Sequence, residues 1–281
     1  MEVTNLFDHL QEIQKEIDKA DLLALLLDYD GTLVPFKDRP EEAVATPNLQ
    51  KVLRTLARSP KCWIAVVSGR RLESLKQVLG VDGLCLAGLH GLQIEFPDGR
   101  NFVWKPARKV TPTLRDIRQR AIHELGGEDG LYIEDKGFTL ALHYRLLPRE
   151  KVQDITQRFI DIVESRGGGR EPLEIIRGSE VIEIRPKGWD KGKAVSKILK
   201  RLDGKVLPMY FGDDLTDEDA FRRLKNGVTV FVSEDADKST AAAYSLRDHR
   251  EVYRFLCWLL EECVGTNEFG SSRLGSGKKE G

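Results

Sequence analysis

The sequence predicts an α/β fold with a parallel sheet covered by helices on both faces, interrupted by a smaller α+β module. Three observations predict it. Short unbroken apolar runs such as Leu22-Leu23-Ala24-Leu25-Leu26-Leu27 are typical of strands buried on both sides of a parallel sheet. These runs alternate with amphipathic segments, as parallel strands joined by helices require. From about residue 105 the texture changes to paired short strands and two long helices, and the alternation returns after about residue 190.

The elements follow in order. Residues 6–17 place Leu6, Leu10, Ile13 and Ile17 on one stripe, a leading amphipathic helix. The run at 22–27 is the first strand. Residues 48–58 form a helix on Leu49, Val52, Leu53 and Leu56. A strand at 62–67, a helix at 72–79 and a strand at 84–89 follow. Residues 93–96 and 101–104 read as a hairpin turning at Asp98-Gly99. In the middle module, a helix at 111–125 precedes a hairpin (131–134, 138–144) around Lys136-Gly137. A helix at 149–166 ends at Gly167-Gly168-Gly169, and strands at 173–176 and 181–184 close the module. Then come a helix at 192–202 on Ala194, Val195, Ile198 and Leu199, a strand at 207–211, a helix at 218–225, a strand at 228–232 and a helix at 252–263. Residues 265–281, rich in Gly and Ser, read as a disordered tail.

Composition narrows the function. The 281 residues carry 44 Lys+Arg against 45 Asp+Glu, a net charge of −1, so no basic face for nucleic acid is expected. No apolar run approaches the ~20 residues of a membrane span. The start, Met1-Glu2-Val3-Thr4-Asn5, lacks a signal core, and a cytoplasmic protein is expected. The four cysteines form no C-x-x-C pair, so they read as plain thiols rather than zinc or redox centres.

Four strings carry chemistry. Asp28-Tyr29-Asp30-Gly31-Thr32 follows the first strand, where ligands bind in α/β sheets. Asp28 and Asp30, two apart in an extended chain, project the same way, so one carboxylate can attack while the other moves protons. The same string also reads as a solvated acidic turn. Ser68-Gly69-Arg70 ends another strand, and a hydroxyl with free N–H groups there suits a phosphate oxygen or a helix N-cap. Lys191 opens a helix, where a cation is disfavoured unless an anion compensates; an ordinary surface lysine is the alternative. Asp213-Asp214-Leu215-Thr216-Asp217-Glu218-Asp219 crowds carboxylates at a strand end, which a hard cation such as Mg²⁺ would relieve. Asp213 reads as the ligand, Asp219 as helix-dipole filler, and Asp214 and Asp217 as intermediate.

In order and spacing these strings resemble the haloacid dehalogenase superfamily of phosphohydrolases. Ala87-Gly88-Leu89-His90-Gly91, Ile133-Glu134-Asp135-Lys136-Gly137, Ala141-Leu142-His143-Tyr144-Arg145, Glu183-Ile184-Arg185-Pro186 and Gly212-Asp213-Asp214-Leu215-Thr216-Asp217 further resemble the trehalose-6-phosphate phosphatase family, over about residues 22–262. The resemblance implies a Rossmann-like doubly wound parallel sheet core (1–105 and 186–264) with an inserted α+β cap domain (106–185). It implies Asp28 as nucleophile, Asp30 as acid/base, and Ser68 and Lys191 on the transferring phosphoryl group. Mg²⁺ would sit on Asp28, the Asp30 carbonyl and Asp213, with Asp214 or Asp217 behind waters. Glu134, Lys136 and Glu183 would bind the sugar, Arg70 and His90 being counted with them. Two bland readings stand beside this: a Glu134–Lys136 ion pair inside the hairpin, and a buried, hydrogen-bonded His90. The implied substrate is trehalose 6-phosphate, with functional coupling to a trehalose-6-phosphate synthase and a monomeric enzyme. The alternatives are another sugar phosphate, such as sucrose phosphate, or a non-catalytic sugar-phosphate-binding regulatory domain.

Overall fold

A computed structural model describes residues 3–37, 39–167, 173–178, 180–235 and 239–264. The tail at 265–281 and the glycines 168 and 169 lie outside the described residues.

The chain runs β1 (Thr4–Asn5), α1 (Leu10–Lys19), β2 (Leu22–Leu27), α2 (Pro47–Arg58), β3 (Cys62–Val67), α3 (Leu72–Leu79), β4 (Cys85–Gly88), β5 (Gln93–Glu95) and β6 (Asn101–Val103). It continues through α4 (Lys105–Leu125), β7 (Tyr132–Asp135), β8 (Leu140–His143), α5 (Arg149–Gly167), β9 (Leu173–Gly178) and β10 (Val181–Pro186). It ends with α6 (Lys191–Leu199), β11 (Val206–Gly212), α7 (Glu218–Arg223), β12 (Val228–Val232), β13 (Tyr244–Leu246) and α8 (His249–Val264).

Nine strands form the large sheet in the order β1-β13-β12-β11-β2-β3-β4-β5-β6. All neighbours from β1 to β4 are parallel, and β5 and β6 add an antiparallel edge. Strand alternation sends Leu23, Leu25 and Leu27 to one face, packed with α2, α3 and α8, while Leu26 faces α6 and α7. The core is therefore doubly wound. Strand order reverses at β2, with β3 on one side and β11 on the other. This is the switch point at which α/β sheets leave a crevice beyond their carboxyl ends.

Between β6 and α6 the chain builds a separate antiparallel sheet, β7-β8-β10-β9. Leu140, Leu142, Ile182 and Ile184 pack against α4 and α5 on one face of it. Helix α4 starts at Lys105, six residues before the start expected from sequence. Its stripe Ala107, Val110, Leu114, Ile117, Ala121 and Leu125 runs straight through Pro112, and burial of that stripe outweighs the hydrogen bond the proline cannot make. Strands β1 and β13, two and three residues long, escape sequence reading because so short a segment shows no period. The two passages between sheets each carry a tryptophan. Trp104 and Trp189 lie 5.6 Å apart between ring centroids, and Phe102 lies 5.4 Å from Trp189. Among the described residues no helix is long and apolar enough to cross a membrane.

Candidate active site

Three neighbouring strands deliver the central residues. Asp28 follows β2, Ser68 follows β3 and Asp213 follows β11, while Lys191 opens α6 above them. Asp28 N–H donates to the Phe211 carbonyl at 2.9 Å, so sheet pairing itself holds the carboxylate at the strand end.

Lys191 is 2% exposed, not a surface lysine. Its Nζ donates to Asp28 Oδ1 and to Asp217 Oδ1, each at 2.7 Å. Burial works against the ammonium, but Asp217 and Asp28 outweigh it and hold Lys191 protonated. Asp217, fully buried, also accepts Tyr210 OH at 2.6 Å, and its Oδ2 accepts the N–H groups of Asp213 and Asp214 at 3.1 Å each. Four donors thus occupy both of its oxygens. Sequence reading grouped Asp217 with the metal residues; it lies in that carboxylate group and also braces Lys191 and the Asp213–Asp214 loop. Asp214 is likewise turned inward on its own loop, its Oδ1 accepting from Thr216 N, Thr216 Oγ1 and Asp217 N. Asp213 accepts Thr32 Oγ1 at 3.1 Å.

Carboxylate oxygens of Asp28, Asp213 and Asp217 lie within 4.8 Å of one another. Burial, then the neighbouring Asp217 and Asp214 charges, push the Asp213 carboxyl up to about 8. Burial also raises Asp28, only partly offset by Lys191. Such a set of hard oxygen donors strained by like charge fits a divalent cation such as Mg²⁺. Within this group Asp217 already accepts four donors, so Asp28 and Asp213 carry the less occupied oxygens.

Gly31 shows how tightly this corner is packed. It has φ +91°, and a Cβ there would lie 2.2 Å from Asp213 Oδ2 and 2.6 Å from the Phe36 ring. Gly31→Ala is expected to leave a folded protein, destabilised by about 1–2 kcal/mol, with kcat/KM down roughly 10²-fold because Asp213 is displaced. Steady-state kinetics together with a Mg²⁺ titration check this. Near-parental activity would show that Asp213 does not matter.

Arg70, expected in the substrate set, also holds Asp30. Its Nε and Nη2 fork onto both oxygens of Asp30 at 2.6 and 2.5 Å, fixing the plane of that carboxylate. Nη1 is buried and has no hydrogen-bond partner among the described residues, so one donor remains for a ligand. His90 adopts φ +56° in a turn pinned to the Ser68–Arg70 loop, with His90 N–H on Ser68 O and Leu89 N–H on Arg70 O, both at 2.8 Å. A Cβ at Gly69 would meet the His90 ring at 2.9 Å. Burial lowers the pKa of the ring, with Glu183 working against it, and Nδ1 has no partner among the described residues. The bland expectation of a buried histidine with a polar partner thus stands beside the sugar-binding one, because Nε2 faces Glu183 while Nδ1 is left over.

The free face of the smaller sheet meets this crevice. Lys136 Nζ donates to Glu183 Oε2 at 3.1 Å and to the Gly69 carbonyl at 3.3 Å, and Glu183 lies 3.8 Å from His90 Nε2. Glu134 pairs with His143 at 2.9 Å. The expected alternative, an ion pair between Glu134 and Lys136, gives way to these two pairings because β8 and β10 bring better-placed partners. Burial alone would raise Glu183, but Lys136 and then His90 hold it well below the usual carboxylate range. Sequence reading missed Tyr210 and Thr32 altogether and could give His143 no role, since each acts through a partner on another segment.

Residues 26–250 match the family model described as trehalose-phosphatase. The chain belongs to the trehalose-phosphatase family. It is 36% identical over 240 residues to the trehalose-phosphate phosphatase of Mycobacterium marinum; the match covers 83% of this chain and 60% of that protein's length. The C-terminal domain of the C. albicans trehalose-6-phosphate phosphatase superposes with a TM-score of 0.77 at 24% identity, covering 92% of this chain and 97% of that one. A trehalose-6-phosphate phosphatase related protein superposes at 0.73 with 25% identity, covering 86% and 98%. The first superposition carries the fold; the family rests on the sequence matches.

Proposed function

We propose that this trehalose-phosphatase family member hydrolyses trehalose 6-phosphate to trehalose and phosphate through an aspartyl-phosphate on Asp28. The observation that supports it best is the junction of two sets. Asp28 is buried against Lys191 on the core side, and Lys136, paired with Glu183, reaches the Gly69 carbonyl next to Ser68 from the smaller sheet.

Asp28 attacks phosphorus with the oxygen not bonded to Lys191, and the bond to the sugar oxygen breaks. Asp30 gives that oxygen its proton. Water then attacks the phosphoryl group, the bond to Asp28 breaks, and Asp30 takes the proton from water. Lys191 and Ser68 stabilise the charge spread over the transferring oxygens. Mg²⁺, held by Asp28, the Asp30 carbonyl and Asp213, would offset repulsion between phosphate and carboxylate. Asp217 positions Lys191, and Arg70 orients Asp30. Residues 106–185 act as the cap that selects the sugar, with Glu134, Lys136, Glu183 and His90 addressing its hydroxyls. Cys85, a buried free thiol, suits a reducing cytoplasmic setting. A site built within one chain suits a monomer, and the substrate's chemistry implies coupling to the synthase that makes it.

A phosphate-release assay over trehalose 6-phosphate, sucrose 6-phosphate, glucose 6-phosphate and 4-nitrophenyl phosphate, with Mg²⁺ or with chelator, tests this. Trehalose 6-phosphate should be preferred, and chelation should stop turnover. Preference for another sugar phosphate would overturn the substrate, and absence of turnover would favour a binding domain.

A further inference from the structure

We propose that Tyr132 is a stacking platform for the sugar ring farther from the phosphate, so that the cleft prefers a disaccharide phosphate to a monosaccharide phosphate. This rests on the substrate reading given above.

Tyr132 is an aromatic residue on a strand, yet it is 63% exposed. Alternation along β7 puts it on the same face as Glu134, while Ile133 turns to the helices. Register pairs Tyr132 with His143 and His143 with Val181, so this face continues across β8 and β10 to Glu183. It is the face that reaches the core through Lys136 and the Gly69 carbonyl. The order Lys136, Glu134, Tyr132 therefore leads outward from the phosphate end, with Tyr132 about 7 Å beyond Glu134.

The ring is braced from behind. It stacks on His143 at 5.7 Å between centroids and 29° between planes, and His143 is bonded to Glu134. One aromatic face is thus supported and the phenol lies largely open to solvent. A braced aromatic ring loses little freedom on binding, which suits it to recognition. A glucose ring with equatorial hydroxyls presents C–H groups on its faces and polar groups at its rim. An aromatic ring covers the former while Glu134 accepts from the latter. A monosaccharide phosphate has no second ring to place there.

The test compares Tyr132→Ala and Tyr132→Phe with the parent on trehalose 6-phosphate, glucose 6-phosphate and 4-nitrophenyl phosphate. Tyr132→Ala should raise KM for trehalose 6-phosphate about tenfold, the scale of one stacking contact, at unchanged kcat. It should leave the two smaller substrates as they were, and Tyr132→Phe should restore the parental KM. No change on trehalose 6-phosphate, or an equal loss on all three substrates, would overturn the proposal, the latter because Tyr132 would then merely brace His143 and Glu134. If the parent itself prefers glucose 6-phosphate, the substrate reading fails before any variant is measured, and this proposal falls with it.

Discussion

Asp28→Asn is expected to abolish phosphate release, lowering turnover by roughly 10⁴-fold or more, as loss of a nucleophile does. The asparagine keeps the shape of the side chain and an oxygen for Lys191, but a neutral amide does not attack phosphorus. Lys191 retains Asp217 at 2.7 Å, so its buried charge stays paired and the fold should hold. Removing one negative charge from the group formed with Asp213 and Asp217 relieves repulsion in the metal-free protein. Its melting temperature should therefore be maintained or rise. Turnover near the parental rate would eliminate the aspartyl-phosphate route. A collapse of the melting temperature would mean that Asp28 holds the core together.

Removing the polar groups of the smaller sheet should cut kcat/KM for trehalose 6-phosphate by roughly 10²-fold or more for each of Glu134→Ala, Lys136→Ala and Glu183→Ala. Each loses hydrogen bonds to a charged group, at about 1.5–3 kcal/mol apiece. Hydrolysis of 4-nitrophenyl phosphate should be spared, since that substrate makes no sugar contacts. The three variants differ in what else they disturb. Lys136 and Glu183 are about nine-tenths buried as a pair, and removing either strands the other charge, which costs about 3–5 kcal/mol. Glu134 and His143 are each some 30% exposed, so solvent takes over when that pair is broken. Glu134→Ala is accordingly the cleanest variant, with selectivity lost and melting temperature kept. Equal losses on both substrates by Glu134→Ala would show that this face governs closure or folding rather than sugar recognition.

Much of the fold and of the site's membership was legible in the sequence. The run 22–27 announced a strand buried on both sides, and the acids placed directly after it and after 207–211 lie at adjacent strand ends. The change of texture near residue 105 marked the second sheet. The short strands β1 and β13 were not legible, because two or three residues carry no period and pair only when the rest of the sheet supplies a partner. The true start of α4 was obscured by Pro112, whose local preference is overridden by the buried stripe on either side of it.

What the sequence determined by itself is therefore which residues stand at the ends of buried strands, since hydrophobic period and strand length are local properties. What only the tertiary structure decided is who bonds to whom. Lys191 reaches Asp28 across 163 residues, Lys136 reaches Glu183 across 47, and Arg70 reaches Asp30 across 40. The partner of a charged side chain is set by which loops meet in space and by how much water is excluded there. Low local dielectric makes an unpaired charge costly, so each buried group takes the best-placed opposite charge that folding delivers. That selection gave Asp217, a member of the carboxylate group, the further task of supporting Lys191. It also made Arg70 the clamp on Asp30, with Nη1 left over.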